Sequence, residues 1–130
     1  MNFERVSKYL PETLSIVRIV VGLLFLEHGT AKLFGFPMST SAQPAMMSLL
    51  WVQGIIEVVG GALIAIGFLT RPVAFILAGD MAVAYFMAHL PKSNFPMLNG
   101  GDAAVLYCFI FLLFFVAGPG RWSLDRNRGM

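Results

Sequence analysis

Apolar residues gather into four long stretches along the chain, at about 13–35, 50–70, 72–90 and 102–118. A helix needs roughly 20 mostly apolar residues to cross the hydrocarbon core of a bilayer, and all four stretches approach that length. Turn signals separate them: Pro72 follows a short polar turn, and Asn99-Gly100-Gly101 precedes the last stretch. The pattern predicts an all-α integral membrane protein, a bundle of four transmembrane helices.

Composition favours a membrane protein over the alternative, a soluble protein with buried helices. Hydrophobic residues make up 58% of the 130 residues and charged residues 12%, about half the charged share of a soluble domain. A soluble domain of this size has too little interior to cover so much apolar surface. The single cysteine, Cys108, excludes an intramolecular disulfide scaffold, and the first dozen residues lack the pattern of a cleavable signal peptide.

Lysine and arginine are distributed unequally between the two ends of the predicted helices. Lys32 and Lys92 fall at one end. The other end carries Arg5, Lys8, Arg71, Arg121, Arg126 and Arg128. Because basic residues accumulate on the cytoplasmic side, we expect a multi-pass protein of the bacterial inner membrane with both termini in the cytoplasm. The basic residues form no run, so no nucleic-acid partner is expected.

Polar side chains inside the predicted spans are the main functional signal, because each charge at the bilayer centre costs roughly 2.5–3.5 kcal/mol. The outer halves of the helices carry His28, Lys32, Gln53, Glu57, His89, Asn99 and Asp102. Helical phase places Arg18 and Lys32 on one stripe of the first helix and Glu27 on the opposite side. Asp80 and His89 also point to opposite sides of the third helix, about half a turn apart around its axis. We therefore expect a polar pocket in the outer half of the bundle.

Three functions suit a pocket of acid, amine and imidazole. The first is quinone or quinol handling, in which Glu57, Lys32 and His28 would act catalytically by donating hydrogen bonds and relaying protons. The expected quinone-binding residues are Arg18, Gln53, His89, Asn99 and Asp102. The second is haem ligation by His28 and His89, a weaker pattern. The third is a small transporter or a non-enzymatic accessory subunit. No metal site is expected, because no cluster of ligating residues occurs.

Several of these residues also have a structural interpretation. Arg18 would be an ion-pair partner of Glu57 or Asp80, Lys32 would extend to lipid headgroups, and Asp102 would cap the fourth helix. Glycine stripes on the first two helices predict close packing, either inside the bundle or between copies of the chain. The sequence is therefore compatible with a homo-oligomer or with a complex that includes a membrane oxidoreductase.

Short motifs follow one another along nearly the whole chain. They are Arg18-Ile19, Gly22, His28-Gly29, 32–35, Glu57 with Gly60-Gly61, 67–71, Met81, Ala84, His89, 99–102, 118–120 and 123–125. In this order and spacing they resemble the DoxX family of small bacterial membrane proteins.

The resemblance implies a single four-helix membrane domain over residues 1–130. It also implies a quinone-linked redox or oxidative-stress role, since the family is related to small subunits of quinol oxidase and thiosulfate:quinone oxidoreductase. The residues that match its polar pattern are Arg18, His28, Lys32, Glu57, His89 and Asn99. Asp102 stands where glutamate is common, whereas Glu27 and Asp80 match no fixed position.

Overall fold

The computed structural model describes residues 2–38 and 44–128, and these contain helices and no strand. The helices in chain order are α1 (Phe3–Ser7), α2 (Leu10–Phe34), α3 (Leu49–Ile66), α4 (Thr70–Ala84), α5 (Pro96–Asn99) and α6 (Asp102–Ala117). A π-helical turn (Tyr85–His89) and a 3₁₀ turn (Leu90–Lys92) continue α4 without a break. The four long helices form the bundle, and α5 is a single turn in the loop before α6.

All four predicted helices are present, with ends shifted by a few residues for local reasons. α2 begins at Leu10 because Pro11 is accommodated in its first turn. α3 ends at Ile66, earlier than predicted, because Gly67 adopts a left-handed conformation with φ 72°. α4 begins early, at Thr70, because the carboxylate of Asp125 accepts hydrogen bonds from the backbone amides that open the helix.

Among residues 2–38 and 44–128, two helical stretches are long and apolar enough to cross a bilayer by length and composition, Leu49–Ile66 and Thr70–Lys92. α6 is apolar but has only 16 residues. Large apolar side chains such as Leu23, Phe75 and Leu106 lie on the outside and are more than half exposed, whereas Arg18 and Glu57 are buried. Apolar surface around a polar interior is the distribution expected of a protein surrounded by lipid.

α2 and α3 approach each other closely along two glycine stripes. A Cβ atom on Gly22 would lie 2.5 Å from the backbone nitrogen of Ala65, and one on Gly61 would lie 2.6 Å from that of Leu26. A Cβ on Gly29 would meet the backbone of α3 in the same way. The sequence allowed these glycines to pack either inside the bundle or between copies of the chain. In the structure they pack inside the bundle, where they let two backbones come together.

The second pair of helices, α4 and α6, packs through apolar side chains. Leu77 of α4 and Phe111 and Phe114 of α6 are almost completely buried, and Phe25 of α2 joins them. The Phe25 and Phe111 rings meet edge to face with centroids 5.0 Å apart. This core holds the α2–α3 pair against the α4–α6 pair.

Replacing Gly61 with valine should force α2 and α3 apart, because the added Cβ meets backbone atoms that cannot rotate away. We expect a loss of stability of about 3 kcal/mol or more, seen as a lower melting temperature in detergent. The matched control is Gly79→Ala, an exposed α4 position where a Cβ has no neighbour within 4 Å. That variant should be neutral or gain up to about 1 kcal/mol. Equal melting temperatures for both variants would contradict the close approach.

Candidate functional site

A hydrogen-bonded chain of four polar side chains links three helices. Lys32 Nζ lies 2.9 Å from Glu57 Oε1 and 2.8 Å from Oε2. Gln53 Nε2 lies 3.2 Å from Glu57 Oε1 and 2.8 Å from Asp80 Oδ2. The Glu57 side chain is 6% exposed and that of Lys32 26%. A carboxylate this deeply buried requires its cationic partner, because an unpaired buried charge is strongly destabilising.

Local features of α2 and α3 bring this ion pair together. Gln53 and Glu57 are four residues apart and share one face of α3. Between them, Gly54 leaves room for the Leu33 side chain, which would lie 2.8 Å from a Cβ at this position. The C-terminal end of α2 therefore packs directly against α3. Lys32, the residue before Leu33, reaches Glu57 from this end of α2.

A cavity of about 320 Å³, here called the inner cavity, lies beside the ion pair. Its polar wall comprises His28, Lys32, Gln53, Glu57, His89 and Tyr107. Its apolar wall includes Phe25, Leu50, Met81, Ala84, Ala88 and Ala104. The volume is within the range of small-molecule sites, at its lower end. The structure thus brings together five of the eight predicted site residues: His28, Lys32, Gln53, Glu57 and His89.

The two histidines are held differently. His28 meets the Tyr107 ring edge to face, with centroids 6.1 Å apart. His89 stacks on Tyr85, and its Nδ1 lies 3.1 Å from the carbonyl oxygen of Asn99. Because a carbonyl only accepts, Nδ1 of His89 is the donor in this contact, and Nε2 accepts whenever the ring carries a single proton. His89 is therefore oriented by the loop.

A second cavity, of about 380 Å³ and here called the outer groove, lies between α3 and α4. Its walls are mostly apolar and include Leu49, Val52, Ile56, Val83 and Met87. Asp80 lines the outer groove and not the inner cavity, which confirms that it does not share a face with His89. Leu50, Gln53, Ala84 and Ala88 line both spaces and so form the partition between them.

Arg18 pairs with neither Glu57 nor Asp80, so that part of the prediction is wrong. Its guanidinium is buried and donates hydrogen bonds to backbone carbonyls, including those of Ile64 at 2.9 Å, Trp122 at 2.6 Å and Pro119. Arg18 and Lys32 do share a helix face, but fourteen residues separate them, a rise of about 21 Å. Arg18 therefore anchors the segment after α6 at the far end of the bundle and does not line the inner cavity.

Asn99 and Asp102 also lie outside the walls of the inner cavity. The buried Asn99 amide donates to Tyr85 Oη at 3.1 Å and to the Ser93 carbonyl, and its oxygen accepts from the Gly101 amide at 2.8 Å. It shapes the loop that orients His89. Asp102 is exposed and is the first residue of α6, so it does not cap the helix; Gly101 holds that position. Glu27, predicted to lie opposite Arg18 on the helix, is exposed and does not line the inner cavity.

Sequence reasoning missed two polar residues near the site and one at the opposite end. Tyr107 follows Ala103 and Ala104 by one turn of α6, so helical phase from the mouth of that helix would have found it. Asp80 was recognised from sequence as an acid within a predicted span, but only its contact with Gln53 places it beside the site. Asp125 binds the amides of Leu69 and Thr70 from across the bundle, and no local pattern signals that contact.

Within residues 2–38 and 44–128, no three His, Cys, Asp or Glu side chains come close enough to hold a metal ion. Cys108 is half-buried beside the apolar core. The amine, carboxyl and imidazole side chains that line the inner cavity can form hydrogen bonds and exchange protons.

The sequence profile of the DoxX family matches residues 13–90, which include α3, α4 and most of α2. The chain belongs to the DoxX family. This membership confirms the resemblance seen in the motifs. The matched region contains every polar residue of the inner cavity except Tyr107.

Relatives of this DoxX protein match over most of their length. An uncharacterized protein of Haemophilus influenzae is 44% identical over 95% of this chain and 96% of its own. An uncharacterized membrane protein of Mycobacterium tuberculosis is 33% identical, covering 90% and 82%. The inner membrane protein YqjF of Escherichia coli is 31% identical, covering 85% and 88%. No solved structure matches the chain. The protein is located in the bacterial inner membrane, as predicted.

Replacing Arg18 with glutamine should release the C-terminal segment, because several buried carbonyls lose a charged donor. We expect a destabilisation of about 3 kcal/mol or more and rapid tryptic cleavage at Arg121 and Arg126 in detergent. Arg5→Gln, an exposed change in α1, is the control and should leave cleavage unchanged. If the Arg18→Gln protein remained as resistant to trypsin as the wild type, this result would contradict the anchoring role of Arg18.

Proposed function

We propose that this DoxX protein crosses the inner membrane four times, with both termini in the cytoplasm. The four long helices and their apolar exterior support this topology. Arg71 and the basic C-terminal segment lie at the same end of the bundle, since Arg71 donates to the last carbonyls of α6. Basic residues concentrated at one end support a cytoplasmic location for that end.

We propose further that the inner cavity binds the headgroup of a quinone as part of a quinone-linked redox process. The observation that carries this is the Lys32–Glu57 ion pair in the wall of a cavity inside the membrane domain. Lys32 directs N–H groups at both oxygens of Glu57. An ammonium has three donors, and the third is paired with no other described residue. It is available to a ligand carbonyl oxygen.

The donor and acceptor set suits both redox forms of a quinone. A quinone presents carbonyl oxygens, which accept from the Lys32 ammonium. A quinol presents hydroxyl groups, which donate to His89 Nε2 or to the Glu57 carboxylate. Interconversion of the two forms moves protons together with electrons, and the adjacent acid and imidazoles hold protons at the required atoms. Electrons are supplied or removed by a membrane oxidoreductase with which the chain associates.

The outer groove supports an apolar tail on the ligand. It shares the side chains of Leu50, Gln53, Ala84 and Ala88 with the inner cavity, and its walls are mostly apolar. A headgroup in the inner cavity would place an isoprenoid chain between α3 and α4. The small inner cavity also favours a single quinone ring over a haem macrocycle, even though His28 and His89 both line it.

A second candidate, a non-enzymatic accessory subunit, is favoured by a different observation. Most of the polar groups are bonded within the chain: Gln53 joins Glu57 to Asp80, and Arg18 and Asn99 bond to backbone groups. Such a network stabilises a bundle whether or not a ligand binds. In that case the ion pair would act only in folding and in assembly with a partner.

The first test is mass spectrometry of a solvent extract from gently purified protein. We expect a near-stoichiometric quinone in the wild type and its loss from the double variant Lys32→Gln/Glu57→Gln. The double change keeps an amide pair in place of the ion pair, so it leaves no uncompensated buried charge. The control is Glu27→Gln, which changes an exposed acid on the same helix as Lys32, and this variant should retain the quinone.

The result separates the two candidates. A folded double variant without quinone supports the binding role. A wild-type protein that carries no quinone, together with a double variant that no longer assembles with its partner, supports the accessory subunit. Flux of a solute into liposomes that contain the wild type would instead indicate a transporter.

The second test concerns the tail. A tailed quinone should bind the wild type more tightly than the same ring without a tail, because the outer groove buries apolar surface. Val83→Trp fills the groove at an exposed position outside the core. It should therefore reduce the affinity difference between the tailed and tailless quinones roughly tenfold or more, while the affinity for the tailless ring stays unchanged. Competition against a fluorescent quinone analogue measures the affinity of each quinone. A preference for the tailed form that survives Val83→Trp would place the tail elsewhere.

A further inference from the structure

A separate cavity, here called the basal cavity, lies at the opposite end of the bundle from the ion pair. Its volume is about 690 Å³, and it lies between the first turns of α2, the last turns of α6 and the segment that follows α6. Leu10 and Leu14 of α2 and Leu113 and Ala117 of α6 form its apolar walls. The size is typical of a site for a small ligand.

Two guanidinium groups, those of Arg71 and Arg126, line the same cavity. Nη1 of Arg71 donates to the carbonyls of Phe115 at 2.8 Å and Val116 at 2.6 Å, which fixes the group against the end of α6. Arg126 is exposed at the rim. Within the described residues, neither arginine forms an ion pair with a carboxylate.

The acidic residue of the cavity wall, Asp125, offsets only part of these charges. Both carboxylate oxygens of Asp125 accept hydrogen bonds from backbone amides, of Leu69 at 2.9 Å and of Thr70 at 2.8 Å. The wall therefore combines two cations with one carboxylate that is already engaged. An anion entering the cavity would meet a net positive charge.

We propose that the basal cavity binds an anionic phospholipid, with its phosphate at Arg71 and Arg126 and its acyl chains along Leu14 and Leu113. The argument rests on charge complementarity in an amphiphilic space. A soluble anion would leave the apolar walls uncovered, and a neutral acyl chain would leave the two arginines without an anionic partner. Basic pockets between membrane helices at the cytoplasmic face bind anionic headgroups in this way. The site rests on the proposed topology, which places this end of the bundle at the cytoplasmic face, and is independent of the quinone proposal.

The test is binding of phosphatidylglycerol and phosphatidylcholine to the delipidated full chain in neutral detergent, measured by native mass spectrometry. Phosphatidylglycerol should bind the wild type more tightly than phosphatidylcholine. Arg126→Gln should weaken phosphatidylglycerol binding by about fivefold, the effect of one basic residue near a lipid phosphate. Arg128→Gln is the matched control, since it removes the same charge from the same segment, and Arg128 lies over the Phe68 ring outside the cavity. It should have no effect.

A second variant tests the apolar half of the site. Ala117→Trp fills the cavity from α6 at an exposed position and should weaken phosphatidylglycerol binding without removing a charge. Equal binding of the two lipids by the wild type would overturn the proposal, as would equal losses in Arg126→Gln and Arg128→Gln, which would indicate attraction by the basic surface as a whole. Inorganic phosphate that displaces the lipid at equal concentration would assign the site to a soluble anion.

Discussion

The close approach of α2 and α3 is the contact on which the rest of this structure depends. Glycines such as Gly22 and Gly61 let one backbone lie directly against the other. Only at that separation does the Lys32 ammonium reach both oxygens of Glu57. The ion pair in turn makes a buried carboxylate tolerable and lets it form part of a cavity wall. Packing of small residues thus sets the chemistry of the site.

The two ends of the bundle use polar groups in opposite ways. At one end Arg18 and Asp125 bond to backbone groups and close the structure around the segment after α6. At the other end Lys32, Glu57 and His89 face a cavity and retain groups that can bind a ligand. Both arrangements satisfy charges in a low-dielectric interior, where unpaired ones are costly. The difference lies in whether the partner atoms belong to the backbone or remain available to another molecule.

Comparison of individual residues shows where sequence reasoning succeeded. Gln53 and Glu57 share a face because they are four residues apart, and opposite phase separated Asp80 from His89 correctly. The same phase argument correctly put Arg18 and Lys32 on one face of α2, but only Lys32 lines the inner cavity. Helical phase gives a direction around the axis and not the neighbour at each depth. Asn99 was misassigned for a related reason: residue type indicates a hydrogen-bonding group, whereas the fold of the loop directs that group to Tyr85 and Ser93.

Hydrophobic length and charge placement by themselves determined the four helices and the membrane setting, since both follow from the cost of placing polar groups in lipid. Motif order determined the family. Only the tertiary structure decided that the glycine stripes meet inside the bundle and that Asp80 lies in a groove beside Gln53. It also decided that Arg18 binds the chain's own carbonyls. These contacts join segments far apart in sequence, and their geometry depends on how the helices pack rather than on any local pattern.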